Sequence, residues 1–240
     1  MNALEMKQEF LTLYDKVTNQ AAPGYTNSEI SIFLNKAQLQ FVKNRYNFKG
    51  NAYNEGFEET EKRRKDLAEL TRNAELTGGT TNSSSQTGVS PNGEFFDLPD
   101  DLLYALREEV LTTSSTACYD ALRIRVKPIT HDEYAIEVNN PFAKPDKSVV
   151  WRLDISRDLT QGANNEKKRH ELIAGTGMTV NKYYLRYLRV PTIINVDTNV
   201  SSEINDEVHG EIIDYAVRIA TGITDPQAYP IKIKEQQGSE

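Results

Sequence analysis

The sequence predicts an α+β fold, with a helical bundle formed by N-terminal helices and a C-terminal helix, a central antiparallel β-sheet region and an extended C-terminal tail. Near both ends of the chain, apolar residues recur at the three- and four-residue spacing of amphipathic helices. The middle of the chain instead shows the apolar–polar alternation of half-buried strands. Because helices and strands occupy separate stretches, the pattern is that of an α+β protein.

Composition excludes several classes of protein. The chain has 240 residues, a net charge of -7 and a single cysteine, Cys118, so it can form no internal disulfide. The acidic balance argues against a general nucleic-acid binder, although an acidic wall would let DNA slide past without sticking. The N-terminus lacks the apolar core of a signal peptide, and no stretch approaches the roughly 20 apolar residues of a membrane span. We therefore expect a cytosolic or virus-borne protein without a membrane partner.

The N-terminal region predicts two helices. Apolar residues lie on one broad face between Leu4 and Val17. After a Pro-Gly turn, Thr26 and Glu29 have the spacing of a capping box, which predicts a second helix ending at about Tyr46. The wide apolar surface of this helix needs partners on two sides, as in a bundle or a subunit contact.

A third helix is predicted from about Glu55 to Glu75, with charges of both signs over most of its surface. Either it is a solvated helix with internal ion pairs, or it makes a polar contact with a neighbouring subunit. The polar stretch 77–93 has almost nothing to bury, so alone it should be mobile. It is either an excursion that orders against a partner or a flexible linker.

The middle of the chain predicts strands, a short helix and a rigid loop. Leu102–Thr112 fits a helix or a strand by periodicity, and its β-prone threonines favour the strand. Thr130 and Glu133 again have the spacing of a capping box, and Asn139–Pro145 contains two prolines that make a rigid loop. The other predicted strands are Ala121–Lys127, Val149–Ile155, Arg169–Ala174 and a long strand ending at Pro191.

The long strand carries large side chains on both faces, so we place it inside the sheet. Tyr184, Arg186, Leu188 and Val190 should face one side, and Tyr183, Leu185, Tyr187 and Arg189 the other. These are more large side chains than one small core can hide. We therefore expect a subunit interface that involves Tyr184, Arg186, Tyr187 and Arg189.

The last helix and the tail follow this strand. Apolar residues from Ile212 to Ala220 form a stripe, and Gly222 stands where a C-terminal cap belongs. Beyond it, Tyr229, Ile231 and Ile233 alternate in a stretch with two prolines. This tail either adds as a strand to another chain or is a frayed terminus.

These predictions divide the chain into four parts. Residues 1–76 and 203–222 form a helical body, 77–93 a flexible loop, 94–202 a β-rich region and 223–240 an extended arm.

No residue pattern predicts catalysis, a cofactor or a metal, so we expect a protein that is not an enzyme. The three histidines and Cys118 lack zinc-ligand spacing, and neither a phosphate-binding loop nor a nucleophile elbow is present. Acidic residues beside His131 are explained by helix capping. The pairs at 100–101 and 108–109 look exposed, without a setting that would shift a pKa.

A nucleic-acid-binding module is the alternative function. Lys167–His170 is a basic cluster, and the long strand interleaves arginines with tyrosines, as platforms for single strands do. Sheet packing or a protein interface explains the same strand pattern.

Several motifs together resemble the head-to-tail connector proteins of short-tailed bacteriophages, most closely the ring proteins of crAss-like phages. The motifs are Ala22-Pro-Gly-Tyr-Thr-Asn-Ser-Glu-Ile30, Phe33-Leu-Asn-Lys-Ala-Gln38, Phe96-Asp-Leu-Pro99, Tyr187-Leu-Arg-Val-Pro191 and Glu211-Ile-Ile-Asp-Tyr-Ala216.

This resemblance implies a structural subunit of the virion at the head–tail junction, assembled in the host cytoplasm. It implies a homo-oligomeric ring, usually a dodecamer, with the portal protein and the next tail or ring protein as partners. Double-stranded DNA would pass through the lumen without specific binding. The helices would form the ring body, the sheet would face the next tail component, and Tyr229, Ile231 and Ile233 in the arm would contact the portal.

Overall fold

The computed structural model describes residues 1–18, 24–47, 57–81, 90, 93–114, 120–155 and 168–224. The helices among them are α1 (Ala3–Thr18), α2 (Asn27–Tyr46), α3 (Glu61–Asp66), α4 (His131–Glu137) and α5 (His209–Thr224). The strands are β1 (Thr71–Thr77), β2 (Thr80–Thr81), β3 (Gly93–Asp97), β4 (Leu102–Ser114), β5 (Leu122–Pro128), β6 (Val149–Ile155), β7 (Arg169–Ile173) and β8 (Met178–Arg189). The predicted α+β class is confirmed.

The chain divides into two compact units. Residues 1–71 and 190–240 form the first, which contains α1, α2, α3 and α5. Residues 72–189 form the second, which contains the sheet and α4. We call them the helical unit and the sheet unit.

In the helical unit, α5 packs against both α1 and α2, which confirms the predicted bundle of N-terminal and C-terminal helices. Its buried apolar residues are Ile212, Ile213, Tyr215, Ala216, Val217 and Ala220. The prediction of a cap at Gly222 is wrong, because the helix continues to Thr224. Gly222 does not have the positive φ that a left-handed cap requires.

The start of α2 has the predicted capping box. The Thr26 N–H donates to Glu29 Oε2 at 2.8 Å, and the Glu29 N–H donates to the Thr26 hydroxyl oxygen at 3.4 Å. Amide side chains further along α2 bind the irregular segment that follows β8. Asn35 exchanges two hydrogen bonds of 2.8 Å with the backbone of Ile194, and Gln38 donates to the Thr192 carbonyl at 2.9 Å. Backbone groups that lack secondary-structure partners are satisfied in this way.

The prediction of one long helix from Glu55 to Glu75 is wrong. Helix α3 has only six residues and is followed by a 3-10 turn, and the chain then enters the sheet as β1. Ala74 and Leu76, two residues apart, both pack against the core of the sheet. This period of two belongs to a strand, but charged neighbours hide it in the sequence.

Buried ion pairs also contradict a fully solvated third helix. Arg45 is buried, and its guanidinium lies 3.0 Å from Asp66 Oδ2 and 2.5 Å from Glu211 Oε2. Arg63 is buried too and donates to the Asn44 carbonyl at 3.2 Å. Arg45 therefore joins α2 to α3 and α5. The predicted internal ion pairing does occur on the exposed side, between Lys65 and Glu61 at 3.2 Å.

The strand order of the sheet is β1-β8-β4-β5-β6-β7-β3-β2. All predicted strands are present, and β8 is an interior strand as expected. The expectation of a purely antiparallel sheet is wrong, because β5 and β6 run parallel. Helix α4 lies in the connection between them, as a parallel pair requires. The capping box of α4 is confirmed, with the Glu133 N–H donating to the Thr130 hydroxyl oxygen at 3.2 Å.

The sheet curls round its own core. Strands β8 and β3 are far apart in the strand order, yet the Val180 N–H on β8 donates to Glu94 Oε1 on β3 at 2.9 Å. The rings of Phe96 on β3 and Tyr183 on β8 lie 5.8 Å apart, edge to face. Apolar residues from β3 to β8 fill the enclosed space: Phe96, Val110, Ile124, Val150, Leu172, Val180 and Leu185.

The polar stretch 77–93 is only partly described. Residues 80–81 form the short strand β2, which pairs with β3, and residues 82–89 and 91–92 lie outside the described residues. The buried Ser90 N–H donates to Glu171 Oε1 at 3.0 Å. Gly93 lies so close to Glu171 that a Cβ atom there would be 2.1 Å from Oε1. These contacts tie the end of the stretch to β7.

We expect Arg45→Ala to lower the free energy of unfolding by about 3–5 kcal/mol, because Asp66 would remain buried without its partner. Burial already raises the pKa of Asp66, and Arg45 opposes that rise. Without Arg45 the folded-state pKa rises further, so protonation favours the folded variant. The deficit should therefore be largest at neutral pH and should shrink as the pH falls towards that pKa.

Urea unfolding at several pH values measures this dependence. Lys65→Ala, which breaks the exposed pair with Glu61, serves as the control and should cost less than about 0.5 kcal/mol. Equal losses for the two variants would show that Arg45 contributes no more than a surface charge.

Candidate interface surface

The side chains of β8 alternate between the inside and the outside of the curled sheet. Tyr183, Leu185 and Tyr187 are buried, whereas Tyr184 is half-buried and Arg186 is exposed on the opposite face. The alternation follows the two predicted faces, except that Leu188 is also buried. The outer face is therefore where β8 can meet another molecule.

Tyr184 and Arg186 line an open depression of about 410 Å³ on this outer face. We call it the β8 depression. Its other lining residues come from β1, β4, β5 and β8: Asn73, Ala74, Glu75, Arg107, Glu109, Arg123 and Leu185. Apolar and charged groups are thus mixed, as in the contact surfaces of proteins that associate.

Ion pairs and ring stacking fix most of the charged groups in the β8 depression. Glu109 pairs with Arg107 and, at 3.7 Å, with Arg123, whose guanidinium also stacks 4.5 Å from the centre of the Tyr184 ring. Glu75 pairs with Lys182 at the rim. Within the part of the chain that the structure describes, Arg186 makes no ion pair. It is therefore the side chain in the depression most available to an incoming anion.

Of the four residues predicted to form a subunit interface, the structure brings Tyr184 and Arg186 together. Tyr187 points inward, and its hydroxyl donates to Asp101 Oδ1 at 3.0 Å. Arg189, at the end of β8, is half-buried and does not line the depression. The β1, β4 and β5 residues that line the depression with Tyr184 and Arg186 were not predicted, because the sequence does not show which strands lie beside β8.

A second feature of the outer surface is the segment formed by α4 and the loop after it. Tyr134 of α4 packs edge to face on Trp151 of β6, with ring centres 6.0 Å apart. Ile136 and Phe142 point away from the sheet, with 75% and 97% of their surface exposed. We call residues 131–148 the α4 knob, and Phe142 is its most exposed large apolar side chain.

The loop that carries Phe142 is ordered by its own hydrogen bonds. Asn140 Oδ1 accepts from the Phe142 N–H at 3.1 Å, and the Asn140 carbonyl accepts from the Ala143 N–H at 3.2 Å. The sequence predicts the rigid loop from Pro141 and Pro145, but the exposure of Phe142 was not predicted. An isolated Phe between prolines in a polar stretch was the available signal.

Inside the curled sheet lies a cluster of ionisable groups. Arg152 on β6 binds Glu108 Oε1 at 2.6 Å, and His170 on β7 lies 2.8 Å from the Tyr183 hydroxyl and 3.1 Å from Asp154. Glu108 was expected to be exposed like Glu109. That expectation is wrong for Glu108, because successive residues of β4 point to opposite faces.

The pKa values of the two carboxyl groups in this cluster are shifted in opposite directions. Burial raises the pKa of Glu108, against the opposing charge of Arg152. Hydrogen bonding to His170 holds the pKa of the more exposed Asp154 below its usual range. None of these groups lines the β8 depression. Their partners are one another, which indicates a paired core cluster rather than a substrate site.

The residues of the nucleic-acid alternative do not form one surface. Lys167 lies outside the described residues, and Lys168 is exposed. Arg169 pairs with Asp97 across β3 and β7, and His170 is buried in the cluster above. Tyr183 and Tyr187 are also buried, so Tyr184 is the one tyrosine of β8 whose ring reaches the surface to stack on a base.

Some of the predicted features lie outside the described residues, among them Cys118 and the arm residues Tyr229, Ile231 and Ile233. In the described ranges, no group of three or more metal-ligating side chains occurs. No helix in those ranges is both long and apolar enough to cross a membrane.

We expect Glu108→Gln to lower the free energy of unfolding by about 2–3 kcal/mol, because Arg152 would lose its buried counter-charge. Glu109→Gln, one residue along and on the outer face, is the matched control and should cost less than about 1 kcal/mol. Since the folded-state pKa of Glu108 is raised, protonation of Glu108 on acidification stabilises the folded wild type, whereas the glutamine variant has no group that titrates at this position. The deficit of Glu108→Gln should therefore grow as the pH falls through that pKa, which thermal or urea unfolding would record. A deficit that does not change between neutral and acidic pH would contradict the raised pKa.

Comparison with known proteins identifies the relatives of the chain. The family model for the phage tail ring protein 3/4 matches residues 1–228. The chain is 32% identical to "Ring protein 4/5" of Bacteroides phage crAss001 over 237 residues, covering 92% of each chain. It is 32% identical to "Ring protein 3" of the same phage over 205 residues, covering 80% of this chain and 83% of that protein. These relatives are structural proteins of the virion and not enzymes, which confirms both expectations for this chain. The chain belongs to the phage tail ring protein 3/4 family of crAss-like phages.

Proposed function

We propose that the protein is the subunit of a homo-oligomeric ring in the head-to-tail connector, where it joins the portal to the tail and forms part of the DNA channel. The observation that carries this proposal is the family match over residues 1–228, together with two relatives that are themselves named ring proteins. Because the match spans the described residues of both units, the whole described chain is the ring subunit. A dodecamer is the copy number that we expect.

The electrostatics of the chain support a channel component. Its net charge is -7, so DNA phosphates are repelled on average and slide past without being held. A protein that binds DNA tightly instead neutralises many phosphates with lysine and arginine. Here Arg45, Arg152 and Arg169 are paired with carboxylates of the same chain. In this proposal the portal and the next tail or ring protein are the partners of the ring, and DNA passes through its lumen without being bound.

Purified full-length protein should form closed rings of uniform size, alone or together with the portal. Mass photometry gives the copy number, and negative-stain images show whether the oligomer is a closed ring. A protein that stays monomeric at high concentration and never joins portal complexes would contradict the proposal. The same preparation should elute from a DNA column at low salt. Retention that falls with rising salt would instead support the nucleic-acid alternative.

Deletion of residues 225–240 should weaken attachment to the portal and leave the fold unchanged, because we assign Tyr229, Ile231 and Ile233 to the portal contact. Pull-down with the portal measures attachment, and circular dichroism with thermal unfolding measures the fold. Replacing the same three residues by serine in the full chain separates the side chains from the length of the arm. Loss of folding on deletion would show that these residues belong to the core.

A further inference from the structure

We propose that the α4 knob of one subunit inserts Phe142 into the β8 depression of the next subunit, and that this contact, repeated round the axis, closes the ring. The inference rests on the proposed function. Its occupant is a second copy of this chain, and its two halves are both within the sheet unit.

The α4 knob exposes two large apolar side chains, Phe142 with 97% and Ile136 with 75% of its surface in water. Such exposure contributes nothing to the stability of the isolated subunit, and exposed apolar surface is a mark of contact sites when more than a single side chain contributes to it. The Phe142 loop is fixed by the Asn140 hydrogen bonds and two prolines, so little conformational entropy is lost when Phe142 binds. Phe142 therefore has the properties of a preformed anchor.

The β8 depression has the size and lining that such an anchor needs. A volume of about 410 Å³ is ample for one phenyl ring and part of its loop. The half-buried Tyr184 ring offers an aromatic edge or face, and the aliphatic stems of the lining arginines Arg107, Arg123 and Arg186 offer apolar contact around it. The Arg123 guanidinium that stacks on Tyr184 keeps this ring in place.

The charges of the two surfaces have opposite signs. The α4 knob carries four carboxylates and two lysines, which give it a net charge of -2. The β8 depression is lined by three arginines and two glutamates, which give it +1. Arg186, which makes no ion pair among the described residues, supplies the free positive charge. This complementarity favours the knob of another copy over a second depression.

The curl of the sheet separates the centres of the two surfaces on the outside of the sheet unit. Strands β8, β4, β5, β6, β7 and β3 follow one another round the core, and β3 meets β8 again through Glu94 and Val180. Tyr134 anchors the knob on β6, which is three strands from β8 in a circuit of six. The knob and the depression are therefore two different surfaces of the sheet unit. A contact between two different surfaces is heterologous and can be repeated round a ring, whereas a two-fold pair joins the same surface of both copies.

Cysteine cross-linking tests the contact directly. In a Cys118→Ser background, the double variant Ala143→Cys with Asn73→Cys, which keeps the Phe142 ring, should give, on oxidation, a ladder of covalent oligomers that ends at the ring size. Either single variant should give at most a dimer. The control pair is Asn73→Cys with Ile193→Cys. Ile193 has 73% of its surface exposed but belongs to the helical unit, so this pair should give no ladder.

The outcomes of the cross-linking experiment distinguish failure of this contact from failure of the proposed function. A double variant that stops at the dimer would indicate a two-fold contact and overturn it. Rings in negative-stain images without cross-links would overturn the contact and leave the proposed function standing. The absence of both rings and cross-links would overturn both.

Substitution measures what the contact contributes. Phe142→Ser should raise the concentration at which half of the subunits are assembled by about tenfold or more, from loss of one buried aromatic side chain. Ile193→Ser removes another largely exposed apolar side chain away from the contact and should leave that concentration unchanged. Both positions are exposed, so both variants should keep the wild-type unfolding temperature. Equal assembly of the two variants would count against the knob.

Discussion

The sheet unit depends on the closure of its curled sheet where β8 meets β3. The Val180 N–H satisfies the buried Glu94 carboxylate, and the Phe96 and Tyr183 rings pack beside this bond. Burial raises the pKa of Glu94, so the carboxylate is held there by its hydrogen bond against the cost of desolvation. Without the closure, the inner faces of six strands would be open to water.

Closure also separates the side chains of each strand into an inner set, enclosed by the curled sheet, and an outer set on its surface. Glu108 and Glu109 show the result most clearly, because neighbouring carboxylates on β4 meet Arg152 inside the curl and Arg107 outside it. An inner charge must have a fixed partner, since an unpaired ion in the core costs several kcal/mol. An outer charge is solvated and can exchange its partner for one on another molecule. Only the outer set is therefore available for assembly.

Features that depend on local periodicity and capping were predicted correctly from the sequence. Features that depend on which distant strands lie side by side were not. Capping boxes at Thr26 and Thr130 locate two helix starts to the residue, because the bonds span only three positions. β1 was taken for helix because its charges hide Ala74 and Leu76, whose burial comes from β8 more than a hundred residues away. Tyr184 and Arg186 were predicted to be interface residues from the bulk of their side chains, but which residues of β1, β4 and β5 lie beside them could be known only from the strand order.

In the proposed ring, each contact between subunits is anchored by one phenyl ring and is therefore weak. This weakness favours closed rings over open chains. Two free subunits that meet gain a single contact, which barely offsets the lost translational and rotational freedom. The last subunit to join gains two contacts, one through its knob and one through its depression, for a similar entropic cost. Open chains are then short-lived and closed rings persist. A larger apolar knob would make the open chains persist as well, and heterologous contacts that fail to close extend without limit.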